Sequence, residues 1–242
     1  MVGAVKDGEI RQPFVHLYTS LTMCCYPAAM PKTTRTAALP TWLTPQRLDR
    51  AEQAMIVALW SWLVWRVLQS SNPFSQVVLF TETTVLIFVL LRRPTEAISL
   101  RFGDWLLAIT ATAAPMLIVP IAIPDAMLPF ESIAVGMVAI GNLVQLTGKL
   151  FLARSFGVAP ANRGIKTTGL YRLVRHPIYA GYLMVHLGLI MMMPTLTNFL
   201  VYAIGWWAQI LRLLAEENLL SQDPEYRAFM TKTRWRLIPG VF

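Results

Sequence analysis

Cysteine is almost missing from this chain of 242 residues. Cys24 and Cys25 are its only two, neighbours too close for a routine disulfide and without the second Cys or His pair of a zinc site, so a disulfide scaffold and a zinc module are poor explanations. Charge is scarce as well: 14% of the residues are charged, against about 25% in an ordinary soluble domain. There is no internal repeat and no low-complexity tract. No Gly-x-Gly-x-x-Gly follows a strand pattern, which argues against a soluble-type nucleotide domain. Nor is there a cluster of metal-ligating side chains.

What fills the chain instead is apolar. That set makes up 55% of the residues and the mean hydropathy is +0.51, enough for several membrane spans. In that setting the net charge of +8 reads as basic loops facing the cytoplasm and anionic lipid, not as a nucleic-acid surface. Six apolar stretches are predicted to cross a bilayer: Gln53–Gln69, Gln76–Leu91, Trp105–Ile123, Ile133–Leu152, Ile178–Met193 and Phe199–Ala215. The loops around Asn72, Pro124 and Pro194 carry no Lys or Arg, whereas Arg92–Arg101, Arg154–Arg175 and both termini carry nearly all of them. The positive-inside rule then puts both termini in the cytoplasm. The expected fold is an all-helical, multi-pass membrane protein. It has a cytoplasmic leader (1–50) whose true start is Met1 or Met30, a first group of spans (51–130) and a catalytic C-terminal region (131–242).

Polar residues concentrate in the second half. Asn142, Gln145 and Lys149 fall at i, i+3 and i+7, as do Tyr179, Tyr182 and His186, and Gln209, Arg212 and Glu216; each trio lies on one helix face. Polar groups facing lipid are costly, so the three stripes are expected to face one another around a cavity open to the cytoplasm. Interhelical hydrogen bonding accounts for a lone Gln, Tyr or His186. Two charges at Arg212 and Glu216 with a further carboxylate at Glu217 exceed what packing requires.

The run from Gly169 to Gly181 holds the densest set of special residues. Pro177 suits the first helical position and biases His176 to an extended conformation, placing it at the mouth of the fifth span. Unpaired N–H groups there, beside Arg172 and Arg175, suit an anion. The tail from Ser221 to Phe242, with Asp223-Pro224 and the aromatic Tyr226, Phe229 and Trp235, is predicted to form a short helix at the membrane surface.

The string Gly-x-Tyr-x-x-x-Arg-His-Pro-x-Tyr-x-Gly, followed about thirty residues later by Arg-x-x-x-Glu-Glu, resembles the isoprenylcysteine carboxyl methyltransferase family and its bacterial relatives, which are related to phospholipid N-methyltransferases. The resemblance spans roughly Asn142 to Phe242. It implies a methyltransferase of the inner membrane that uses S-adenosylmethionine and releases S-adenosylhomocysteine, with a lipid-like or prenylated acceptor entering from the bilayer. Carried over by motif, the cofactor contacts are Arg163, Gly164, Ile165, Lys166, Tyr171, His176, Pro177, Ile178, Tyr179 and Glu216; Arg212 meets the acceptor.

Methyl transfer from a sulfonium is an in-line displacement, so positioning and exclusion of water dominate. An isoprenylcysteine-type carboxylate needs only a cation such as Arg212. A phospholipid amine or a small thiol must also lose a proton, for which Glu217 or His176 stands as candidate base. Two other classes compete. An NADPH-dependent sterol-type reductase shares a His-Pro-x-Tyr turn but follows it with Phe-Gly-Glu where this chain has Ala180-Gly181-Tyr182. A transporter predicts polar residues continuing to the outer side, where here they thin out beyond Tyr202 and His186.

Overall fold

The computed structural model describes residues 44–70, 74–118 and 130–242. Expectations for the leader, for Met30 and for the loops at Asn72 and Pro124 lie outside these residues. All regular structure within them is helical, apart from one isolated bridge between Ile98 and Ala161. The helices are α1 (Pro45–Leu68), α2 (Phe74–Leu91), α3 (Phe102–Ala113), α4 (Glu131–Leu152), α5 (Pro177–Met192), α6 (Leu196–Leu220) and α7 (Pro224–Lys232).

Their starts are written in short polar caps. Thr44 accepts from the Arg47 N–H at 3.2 Å, Thr195 from that of Asn198 at 3.1 Å, and Asp223 from that of Glu225 at 2.8 Å. Proline occupies the first turn of α1, α5 and α7, where the lost N–H costs nothing. The third apolar stretch is shorter as a helix than its composition suggests. Pro115 turns it into a 3₁₀ segment over Ala114–Leu117, because proline removes an intrahelical donor and crowds the preceding turn.

Two helices are long and apolar enough to cross a bilayer, Glu131–Ser155 and Leu196–Leu220; Ser75–Leu91, Phe102–Leu117 and Pro177–Met192 are shorter apolar helices. The two long ones have the length and composition of membrane spans, with an inverted amphipathicity that suits lipid. In α4 the residues turned outward are Ile133, Ile140, Leu143 and Leu150, all more than half exposed, while Ala134, Gly141, Gln145, Gly148 and Lys149 are buried. A water-facing surface does not carry such a stripe; lipid does.

Packing is closest between α4 and α5. A Cβ on Gly141 would lie 2.7 Å from the Gly181 carbonyl oxygen, and one on Gly181 would lie 2.6 Å from that of Gly141. These two glycines let the backbones touch, the usual mode of helix association in lipid. A second pair, α3 with α6, forms opposite; α5 and α6, though consecutive, scarcely meet. One apolar core of Ala134, Val138, Val185, Leu189 and Met192 binds one end of the helices, and another of Ile56, Val85, Val89, Phe156 and Ile178 binds the other.

Candidate functional site

Because α5 packs on α4 and α6 on α3, a cavity opens between the two pairs. It is walled by α2, α3, α5, α6, the 155–166 loop and the aromatic residues Tyr226 and Phe229 of α7. The tail closes over one end. Tyr171, Tyr226 and Phe229 form a buried aromatic cluster there, and the N–H groups of Arg175 and His176 donate to the carbonyls of Trp235 and Arg236 at 2.8 and 2.9 Å.

The adjacent carboxylates of α6 part company. Glu216 lines the cavity and accepts a 2.8 Å hydrogen bond from the Tyr179 hydroxyl. Glu217 points to the tail, where Arg236 Nε lies 2.7 Å away, Arg175 Nε 2.9 Å and His176 Nε2 3.2 Å. Glu217 does not line the cavity. Successive helical residues diverge by about 100°, so one member of the pair faces the cavity and its neighbour ties the tail to the mouth of α5.

Arg212 is buried on the cavity wall with few partners. Its guanidinium reaches the Gly157 carbonyl at 3.4 Å and Gln209 Oε1 at 3.5 Å, and sits 5.4 Å from the centre of the Tyr179 ring. Its Nε has no hydrogen-bond partner. The i, i+4 pairing with Glu216 that would explain both as packing is not formed among the described residues; Glu216 bonds Tyr179 instead.

Of the remaining motif residues, Gly164, Ile165, Lys166, Tyr171, His176, Ile178 and Tyr179 also line the cavity, Lys166 at its exposed rim, whereas Pro177 only starts the helix. Gly164 has φ +100°, a conformation glycine adopts at little cost. Arg163 lines the cavity too, but its guanidinium turns to α1, 2.8 Å from Asp49 Oδ1 and 3.5 Å from Glu52 Oε2. Burial and the nearby Glu216 push the Tyr171 phenol well above its usual value, and burial does the same to Tyr226. Both stay protonated; Tyr171 faces the Gly148 carbonyl at 3.4 Å, while the buried Tyr226 hydroxyl has no partner.

One expectation fails. The α4 stripe does not face the cavity: Lys149 Nζ donates to Thr84 Oγ1 at 2.6 Å and to Gln145 at 2.8 Å, while Thr81 bonds Asn142 at 2.8 Å. The threonines of α2 offer nearer partners, so these groups serve as helix glue, as the stripe of α5 and α6 does not. His186 is held similarly, accepting from Trp206 Nε1 at 3.1 Å, yet it borders the cavity.

Two features escaped the sequence reading. Glu82 of α2 lines the inner cavity, and its signal was the polar run Thr81–Thr84 in an otherwise apolar helix. Asp49 and Glu52 of α1 form a buried cluster with Arg92 and Arg163, and Glu52 also accepts the Val158 N–H at 2.6 Å. Those carboxylates were legible only as charges preceding an apolar run.

Residues 131–223 match the family model described as PEMT, phospholipid methyltransferase. The match runs from α4 to the cap of α7, so it takes in the α5 mouth, Arg212, Glu216 and Glu217 and leaves out Glu82, Asp49, Glu52 and Tyr226. It names the family to which the sequence resemblance is related and supports a membrane methyltransferase. A search of curated proteins gives no significant match.

Proposed function

We propose that the protein is an integral membrane methyltransferase that draws its methyl group from S-adenosylmethionine and passes it to a membrane-partitioned acceptor. The observation that carries this reading is one cavity reaching from an aromatic cytoplasmic end to a buried, under-bonded arginine. The residues present fit the donor. The Tyr226 hydroxyl is an orphaned buried donor on the wall, Tyr171, Tyr226 and Phe229 offer a flat apolar surface to a base, and the Glu216 carboxylate suits ribose hydroxyls.

When bound, the donor supplies an electrophilic methyl on a sulfonium with a neutral leaving group. The chain's own residues position and shield. Tyr179 fixes Glu216, while Glu217 clamps the tail over the mouth through Arg175, His176 and Arg236 and so excludes water. Arg212, backed by Gly157 and Tyr179, lines the part of the cavity that receives the acceptor. Six crossings with both termini in the cytoplasm put the tail, the 155–166 loop and the donor end of the cavity on the cytoplasmic side.

The test is calorimetric titration of detergent-purified protein with S-adenosylhomocysteine, with NADPH as control. Saturable binding of the first alone is expected. Glu216→Ala abolishes that binding without unfolding the protein, and Arg212→Ala retains it while methyl transfer falls by about a hundredfold or more. Binding of NADPH alone moves the reading to a reductase, and binding of neither by folded protein removes the methyltransferase reading.

A further inference from the structure

Glu82 is the polar group that the site as described leaves unused. It sits in the third turn of α2, in no catalytic motif and outside the residues that match the family model. It is 6% exposed and lines the cavity with Tyr182, His186 and Arg212. Its neighbours in sequence are all engaged: Thr81 with Asn142, Thr83 with Trp60 and Thr84 with Lys149. No described residue hydrogen-bonds the Glu82 carboxylate. A buried carboxylate without partners is costly and calls for a counterpart.

The groups facing it come from three helices. Lys149 of α4 and Arg212 of α6 act on it electrostatically, and it acts on the phenols of Tyr182 in α5 and Tyr202 in α6, between which the His186 ring stacks. Neither cation reaches it in a direct ion pair: Lys149 is held by Thr84 and Gln145, Arg212 by Gly157 and Gln209. Of the charged groups that line the cavity, Arg163 and Arg175 are paired with Asp49 and Glu217 and Lys166 is exposed at the rim, which leaves Arg212 against Glu82 and Glu216. This part of the cavity has no surplus positive charge to offer an acceptor carboxylate. It has instead a free carboxylate among aromatic rings, surroundings that suit a cation. Glu217, the obvious base in sequence, is committed to three cationic neighbours away from the cavity.

We propose that Glu82 is a catalytic residue of this methyl transfer, which binds the acceptor as an ammonium and takes its proton. The inference rests on the methyltransferase reading and deepens it. The ammonium nitrogen gives one proton to a Glu82 oxygen. With the lone pair so freed it forms the new N–C bond as the C–S bond of the sulfonium breaks, and the electron pair of that bond stays on sulfur as a neutral thioether. The methylated nitrogen keeps one positive charge, and the proton on Glu82 leaves to solvent. An acceptor carboxylate needs no such step.

The experiment offers wild type, Glu82→Gln and Glu82→Asp three detergent-solubilised probes with S-adenosylmethionine: dodecylamine, dodecanethiol and N-acetyl-S-farnesylcysteine. Wild type methylates the amine in preference to the other two. Glu82→Gln keeps its affinity for S-adenosylhomocysteine, which reports an intact donor site. It turns the amine over about a hundredfold more slowly, and its S-adenosylhomocysteine complex binds dodecylamine about tenfold more weakly. Raising the pH from about 7 toward the amine's own pKa of about 10 restores much of the lost rate, which a purely structural defect does not do. Glu82→Asp retains most of the activity, and this keeps the test decisive if the amide variant fails to fold. The proposal is overturned by wild type that binds S-adenosylhomocysteine but methylates only the thiol, only the carboxylate or none of the three, or by Glu82→Gln with wild-type amine turnover. Wild type that fails to bind S-adenosylhomocysteine overturns the underlying reading itself.

Discussion

Glu216 and Glu217 are one peptide bond apart and answer to different forces. The first lies on the cavity wall and has one neutral donor, the Tyr179 hydroxyl at 2.8 Å; the second is 5% exposed among three cationic groups. Replacing each therefore gives opposite phenotypes. Glu216→Ala leaves the melting temperature in detergent near wild type and removes S-adenosylhomocysteine binding. Glu217→Gln leaves Arg175 buried without its counter-charge and costs about 3 kcal/mol, read as a lower melting temperature and as faster proteolysis of the released tail. If the two variants exchanged phenotypes, the assignment of cavity and clamp would be reversed. The motif Arg-x-x-x-Glu-Glu identified both carboxylates from sequence, but their division of labour was not legible there. Which one faces the cavity depends on where Arg236 of the tail lands, nineteen residues further on, and no local pattern encodes that.

Elements were easier to read than their partners. Thr44, Thr195 and Asp223, each followed by proline or an apolar run, mark helix starts by capping chemistry alone. The direction of the α4 stripe was not readable, because its polar residues satisfy either a cavity or a neighbouring helix, and only the position of Thr81 and Thr84 decides. The α4–α5 contact gives a paired prediction. Gly181→Ala places a methyl 2.6 Å from the Gly141 carbonyl oxygen and costs about 1–3 kcal/mol, whereas Gly136→Ala, with nothing within 4 Å, is neutral or gains up to about 1 kcal/mol in helix propensity. Chemical or thermal unfolding in one detergent compares them, and equal effects would show that the helices do not meet at these glycines. The α1 cluster acts between elements as well. Glu52 holds the Val158 N–H, and the adjacent Gly157 carbonyl faces Arg212 at 3.4 Å, so a carboxylate of the first helix steadies the wall behind Arg212. Glu52→Gln leaves Arg92 and Arg163 to share Asp49 alone. It is expected to lower stability by about 2 kcal/mol and to slow methyl transfer while S-adenosylhomocysteine still binds at Glu216.

At the scale of the whole molecule, the distribution of exposure decides how the chain sits in the bilayer. The outward residues of the two long helices are apolar, Leu143 at 65% and Trp207 at 65% exposed, while the buried positions hold Lys149, Gln145, Gln209 and Arg212. Such a surface is stable only against lipid. The charged loops then choose the side. Arg154, Lys166 and Arg172 lie in one connection between helices, and Pro194–Thr195, between α5 and α6, has no basic residue. On the topology proposed above, the positive-inside rule makes the first connection cytoplasmic and the second not, and the cavity mouth would then lie where a cytoplasmic donor reaches it. The two sides are separable by labelling a variant in which Cys24 and Cys25 are replaced by alanine. Thr197→Cys and Lys166→Cys are both exposed positions, so each is open to a thiol reagent if solvent reaches it. A membrane-impermeant maleimide is expected to modify Thr197→Cys in intact cells and Lys166→Cys only after the membrane is opened. Adding S-adenosylhomocysteine to opened membranes should then slow labelling of Lys166→Cys, which borders the cavity, and leave Thr197→Cys unaffected. Labelling of both positions in intact cells would mean that the helices do not carry the loops to opposite faces, and the donor end would have to be sought on the other side.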